Sequence, residues 1–244
     1  MSESDLRLLR DGELEILGRI VEASNATLLC SVTDGQRTAH AVYKPVRGER
    51  PLWDFPDGTL AGREVAAYAV SEATGWGIVP PTILREEAPF GAGMVQLWVD
   101  GDDEVDLVEL INATPCSLRR MAVLDAVINN SDRKGGHIIP QPAPAGTGLT
   151  ERAIWGVDHG VSFSVENKLR TLLWQWAGEP LTDEAGEILH ALREGLEGEL
   201  GAELNEHLTI REVSATRERI EAMLRSGIHP MPSPDWPSVP YPPF

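Results

Sequence analysis

Three apolar runs lie within the first 43 residues, Leu14 to Val21, Leu28 to Val32 and Thr38 to Tyr43, each rich in Ile, Val, Leu or Thr. Asp34-Gly35-Gln36, between the last two, has the composition of a tight turn, which commits the chain to an antiparallel sheet at its start. At Thr59 the period changes. Leu60, Glu64, Ala67, Tyr68 and Ser71 recur at helical spacing, with Thr59 as the expected N-cap and Gly75 as the stop. Gly77 to Leu84 and Met94 to Val99 then suit two further strands, so about one hundred residues form a small α+β unit.

Beyond it the pattern is mainly helical. Ser117 is placed to cap Leu118, Met121, Leu124, Asp125 and Ile128, and this helix runs into the polar stretch Asn129 to His137. Gln141 to Thr150 reads as a Pro/Gly/Ala-rich hairpin loop or excursion, followed by a strand from Ala153 to Val157. Thr182 caps an acidic helix that continues to Glu206 as a solvated face, and Ala215 to Leu224 forms another. Pro230 to Phe244 is dense in proline and is expected to lie extended along the body. The expected division is 1–100, 101–230 and a tail of 231–244.

A polar run at the end of a helix is ordinarily a solvated turn. Its company argues otherwise. Val42-Tyr43-Lys44-Pro45 places a lysine inside an apolar strand, Glu64 follows on the apolar side of the first helix, and Asp158 comes directly after the strand ending at Val157. A strand lysine, a helix glutamate, a loop aspartate and a second aspartate after a later strand make up the apparatus of phosphoryl transfer from ATP. Lys44, held by Glu64, supplies a fixed cation for the nucleotide phosphates. Asp158 and His137 are candidate ligands for Mg²⁺; the imidazole either ligates less conventionally, shifts preference towards Mn²⁺ or is a structural histidine. Asp132 is the candidate to orient the acceptor hydroxyl and take its proton. Backbone N–H groups of Ser24, Asn25 and Ala26, in the turn after the first apolar run, are placed to meet phosphate.

AVYKPVRGERP, GREVAAYAVSEATG, LDAVINNSDRKGG and WGVDHGVSF together resemble the atypical kinase superfamily of the phosphatidylinositol 3-/4-kinases. The likeness spans about residues 15 to 175, is strongest to the type II 4-kinases and a compact actinobacterial-type branch, and extends more distantly to HipA-like and secretory-pathway kinases. Its most specific piece is Asp125-x-x-x-x-Asn130-x-Asp132-Arg133. The resemblance implies a two-lobed kinase-like α+β fold, with a small β-rich N-lobe and a mainly helical C-lobe. It also implies ATP in the cleft, Lys44 paired with Glu64, Asp132 and Arg133 in the catalytic loop and Asp158 on the metal. Met94 to Val99 would be the hinge, which brings Gln96 and Trp98 to the nucleotide.

Lys and Arg total 21 against 38 Asp and Glu, a formal charge of −17, which opposes binding to nucleic acid and stable association with anionic membranes. Lys168 and Arg170 are the cations of the stretch VSFSVENKLRTLLWQW that follows Gly160 and are candidates to bind one phosphate or carboxylate of a substrate. Trp174 and Trp176 are read as buried aromatics, Cys30 and Cys116 as ordinary small apolar residues, and Asp100 to Glu104 as a solvated acidic turn. The start lacks a secretory signal, so a cytoplasmic setting is expected. The reading is an ATP-dependent phosphotransferase acting on a hydroxyl of a soluble small molecule, inositol- or sugar-containing ones included, of a lipid headgroup or of a protein. A pseudokinase-like nucleotide-binding regulator and protein AMPylation are the alternatives.

Overall fold

The hairpin at Asp34-Gly35-Gln36 is present in the computed structural model, which describes residues 3–20, 25–56, 58–142 and 152–244. β2 (Leu28–Thr33) and β3 (Thr38–Pro45) pair antiparallel from Leu28 against Tyr43 to Thr33 against Thr38. β1 (Glu13–Arg19) lies outside β2; β5 (Gly93–Leu97) and β4 (Thr82–Arg85) complete a five-stranded antiparallel sheet in the order β1-β2-β3-β5-β4. Period-2 alternation sends Leu28, Cys30, Val32, Ala41 and Tyr43 to one face. There they pack with Ile83, Val95 and the leucines Leu8 and Leu9 of α1 (Glu3–Asp11), a helix with no counterpart in the sequence reading.

α2 (Leu60–Thr74) is where the expected and observed structures differ most instructively. The periodic stripe suggested a one-sided amphipathic helix, yet Ala61, Val65, Ala66, Ala69 and Val70 are buried as well, because α2 has neighbours on both flanks. It packs on β4 and β5 on one side and on α4 (Cys116–Ile128), α5 (Asp183–Gly195) and α6 (Glu199–His207) on the other. A helix buried all round loses its amphipathic signature. Thr59 makes no side-chain cap; its hydroxyl donates to Pro56 O, and the carboxylate of Glu49 accepts from Leu60 N and Ala61 N instead. Gly75 does end the helix, at φ 68°, a conformation that favours glycine.

The remainder is mainly helical. α4 begins at Cys116 after Pro115, so Ser117 sits inside the helix rather than capping it, and Cys116 is exposed whereas Cys30 is buried. The acidic helix expected from Asp183 to Glu206 is two helices, α5 and α6, separated by the turn around Gly195 and Gly198. Thr182 caps α5 as expected, accepting from Ala185 N. α7 (Ile210–Ser226) starts earlier than its apolar residues suggested, because Thr209 and Glu212 form a capping box. α3 (Leu107–Asn112) and a two-stranded ribbon of β6 (Ile138–Pro140) and β7 (Ile154–Gly156) complete the elements; residues 143–150 of the expected loop lie outside the described residues. Arg63 of α2 is buried, donating to Ser162 O and pairing with Glu212, and so fastens α2 to α7.

His229 locks the chain after α7 to the turn before α5: Gly178 N donates to His229 O at 3.1 Å and His229 N to Glu179 O at 2.9 Å. Arg119 Nε donates to its Nε2 at 3.2 Å, and burial together with the Arg119 charge holds its pKa down to about 4. In the unfolded chain the imidazole titrates near its ordinary ~6.5, so that state binds more protons between the two values. Stability is therefore full above pH 6.5 and is lost as pH falls towards 4, by about 2 kcal/mol between pH 7.5 and 5. Urea titrations at those two pH values are expected to show this loss in wild type and much less of it in His229→Gln; identical pH slopes would exclude His229 as its source.

Candidate active site

β3 ends by bringing Lys44 under the sheet, two residues before the chain turns away at Val46. Its ammonium lies 2.7 Å from Glu64 Oε1 on α2 and 2.8 Å from Asp158 Oδ1, so one cation joins residues 20 and 114 positions away. Burial alone would lower the Lys44 pKa; the carboxylates of Asp158 and Glu64 outweigh it and raise it above the ordinary lysine value. The other Glu64 oxygen accepts from His159 N at 2.8 Å, which ties α2 directly to the segment carrying Asp158. Asn25, Ala26, Lys44, Glu64, Asp158 and Gly160 line one cavity. Ser24 lies outside the described residues.

The loop after α4 is built on buried polar groups. Asn129 closes the helix with left-handed backbone, φ 53°, and its side chain donates to Ser164 O and Glu166 O while accepting from Lys168 N. Asn130 Nδ2 donates to Asp125 Oδ1 at 3.0 Å, and its Oδ1 accepts from Asp132 N at 3.0 Å, which sets the backbone just before Asp132. The Asp132 carboxylate is part-exposed and pairs with Lys134 Nζ at 2.9 Å. Arg133 differs from the sequence expectation. It is 0% exposed, donates to Asp125, His137 O and Val157 O, and meets His159 Nε2 at 2.7 Å. A wholly enclosed guanidinium cannot touch a substrate, so Arg133 ties the loop to the segment of Asp158 from behind.

Asp158 has left-handed backbone at φ 60°, which turns its carboxylate back towards the loop. Desolvation opposes its ionisation, but the charge of Lys44 and the hydrogen bond from His137 prevail and hold it well below the usual carboxylate range. His137 Nδ1 is 2.8 Å from Asp132 O, an atom that only accepts, so Nδ1 carries the proton. The other ring nitrogen, Nε2, lies 3.2 Å from Asp158 Oδ2. Neighbouring ligands of an octahedral ion bound at about 2.1 Å lie about 3 Å apart, so the spacing of this N/O pair is compatible with two ligands of one divalent cation. Among the described residues no group of three His, Cys, Asp or Glu side chains forms a dedicated metal cage.

The remaining sequence candidates divide. Met94 to Leu97 is strand, paired on both sides, so the expected hinge contracts to the residues after Leu97. Gln96 is buried and its Nε2 donates to Thr82 Oγ1 at 2.8 Å, an internal bond of the sheet. Trp98 leaves the sheet, partly exposed, with Nε1 donating to Asp100 Oδ1 at 2.8 Å. Within the acidic turn, Asp102 pairs with Arg152 rather than being merely solvated. Lys168 is not available to an anion: it is 4% exposed, paired with Asp54 and Glu166, and covered by the rings of Trp53 and Trp236. Trp176 is buried as expected, and Trp174 is partly buried with Nε1 donating to Ser238 O. Glu49 and Lys134 were not singled out from the sequence; Lys134 had a signal in its spacing, two positions beyond Asp132, whereas Glu49 caps α2 from a distance of eleven residues and had none.

No family model matches the chain. Solved structures with the same fold include hydra Fam20, determined with sugar (TM-score 0.62, 14% identity, 92% of this chain and 88% of that one). The golgi casein kinase follows at TM-score 0.59 and 13% identity, covering 91% and 75%. The Helicobacter pylori proinflammatory kinase CtkA gives 0.52 and 11%, covering 90% and 94%. The fold is thus kinase-like, an antiparallel sheet lobe joined to a helical region. No helix among the described residues is long and apolar enough to cross a membrane. Protein Rv2133c of Mycobacterium tuberculosis is 44% identical over 279 residues, covering 100% of this chain and 97% of that one, and the chain belongs to its family.

Proposed function

We propose that the protein transfers the γ-phosphoryl group of ATP to a hydroxyl, as a member of the atypical kinases with the phosphatidylinositol 3-/4-kinase-like motif pattern. The observation that carries this is the Lys44 ammonium shared between Glu64 and Asp158, because a fixed cation beside an ionised carboxylate is what a nucleotide–metal complex requires. The lobes divide near residue 100, with the nucleotide between them and residues 231–244 outside both.

The backbone of Asn25 meets the phosphates, whereas Ala26, expected to do the same, donates its N–H to Gly48 O at 3.2 Å; Lys44 neutralises the α and β groups. Asp158 and His137 would hold Mg²⁺ or Mn²⁺, which supplies charge neutralisation across the phosphates when bound. Asp132 accepts the proton of the acceptor hydroxyl as its oxygen bonds to the γ-phosphorus. The bond to the β–γ bridging oxygen breaks, and ADP leaves. Lys134, paired with Asp132, keeps a positive charge beside the transferring group. Trp98 flanks the adenine side, and Gln96, bonded to Thr82 inside the sheet, holds the strand that leads to it.

The experiment is ADP formation and ATP binding in Asp132→Asn. ATP affinity in the presence of metal is expected within about threefold of wild type, whereas ADP formation falls by about 10²–10⁴. Equal loss of binding and turnover would contradict the role given to Asp132. AMP as the nucleotide product would replace phosphoryl transfer by adenylyl transfer.

A further inference from the structure

The chain after α7 returns to the loop that carries Asp132. Four of the nine residues from 236 to 244 are proline, which keeps the backbone extended and removes N–H donors while leaving every carbonyl. The body of the protein meets those carbonyls with donors. Thr171 N and Trp174 Nε1 donate to Ser238 O at 3.0 and 2.8 Å, Arg170 Nη2 reaches Val239 O at 3.4 Å, and Gly135 N donates to Pro243 O at 2.8 Å.

Both ends of this segment are anchored by aromatic rings. Trp236 stacks on Trp53 with centroids 6.3 Å apart, and Lys168 Nζ lies 4.4 and 4.7 Å from the two ring centres. Phe244 rests on Gly135, where any Cβ would come within 2.2 Å of its ring, so only glycine permits this approach. Gly135 is three residues beyond Asp132, and Thr171 bridges Arg133, the residue after it. The side chains of Val239 and Tyr241 are 40% and 89% exposed, so the groove reads an extended backbone and two aromatic anchors rather than each side chain.

We propose that this groove binds an extended, proline-containing polypeptide by its carbonyl oxygens, that residues 236–244 fill it in cis, and that an acceptor polypeptide must displace them. The proposal deepens the phosphotransfer reading and rests on it for the word acceptor. Recognition by carbonyls suits proline-rich chains, whose ordered backbone loses little entropy on binding. A tethered occupant competes at an effective concentration in the millimolar range, so a free peptide meets a blocked groove in the wild-type protein.

The test uses a fluorescein-labelled synthetic peptide of residues 236–244 and the full chain, as wild type, Phe244→Ala and Trp236→Ala/Phe244→Ala. Phe244 is more than half exposed, so its single variant serves if the double variant does not fold. Fluorescence anisotropy is expected to show binding at least tenfold tighter to the variants than to wild type, and faster hydrogen exchange at Gly135 N and Thr171 N in the variants. Equal affinity for all proteins, or no binding to any, would overturn the proposal. Thermal stabilisation by ATP and Mg²⁺, measured on the same samples, separates the two readings: nucleotide stabilisation without differential peptide binding removes only the groove, and peptide binding without nucleotide stabilisation removes only the phosphotransfer reading.

Discussion

Asp125→Ala is expected to destabilise the protein by about 3–5 kcal/mol, the cost of leaving a buried charge without its partner. Asp125 and Arg133 are both 0% exposed, and Asp125 takes two donors from the Arg133 guanidinium and one from Asn130. Its removal strands a cation that no water reaches. At about 2–4 °C per kcal/mol for a chain of this size, the melting temperature should fall by about 10 °C. Asp125→Asn keeps an acceptor and should cost less. The exposed pair Arg225–Glu221, by contrast, should change stability by no more than about 0.5 kcal/mol when either partner is removed. Urea unfolding of the three variants measures this, and an Asp125→Ala loss as small as that of the surface pair would contradict the network described for the loop.

Lys44→Met should weaken ATP binding at least about 100-fold, because it removes the cation placed for the phosphates and leaves the Glu64 and Asp158 carboxylates facing each other without it. Lys44→Arg keeps the charge, but its planar fork needs more room than a point ammonium between two oxygens at 2.7 and 2.8 Å, so it should restore only part of the affinity. Calorimetric titration with ATP and metal reads both. Unchanged affinity in Lys44→Met would remove Lys44 from the nucleotide site.

The strands β2 and β3 were legible because runs rich in Val, Leu and Thr flank the turn at Asp34-Gly35-Gln36, whereas the alternation of buried and part-buried positions along them emerges only in the fold. α1 and α3 were not: at nine and six residues they are too short to establish a period, and they owe their form to packing. The same limit applies at the site. Lys44, Glu64, Asp132, His137 and Asp158 stood out as charged or imidazole groups beside apolar runs, and the fold brings them together. Whether a charged residue faces the cleft or its back depends on tertiary neighbours, which is why Arg133 and Lys168 read as contacts and are instead enclosed. Gln96 was misplaced for a related reason, since a strand bonded on both sides looks like one bonded on a single side. The reach of Glu49 to α2 and of Phe244 to Gly135 belongs to the folded chain alone.

The central claim is a nucleotide–metal site at Lys44 and Asp158, and thermal unfolding with ATP and Mg²⁺ or Mn²⁺ tests it most directly. At ligand about 100 times Kd the wild type should gain about 2.7 kcal/mol, a rise of several degrees, and Asp158→Ala should show no metal-dependent part of that gain. No shift with either metal in a folded wild type, or an equal shift in Asp158→Ala, would contradict the account.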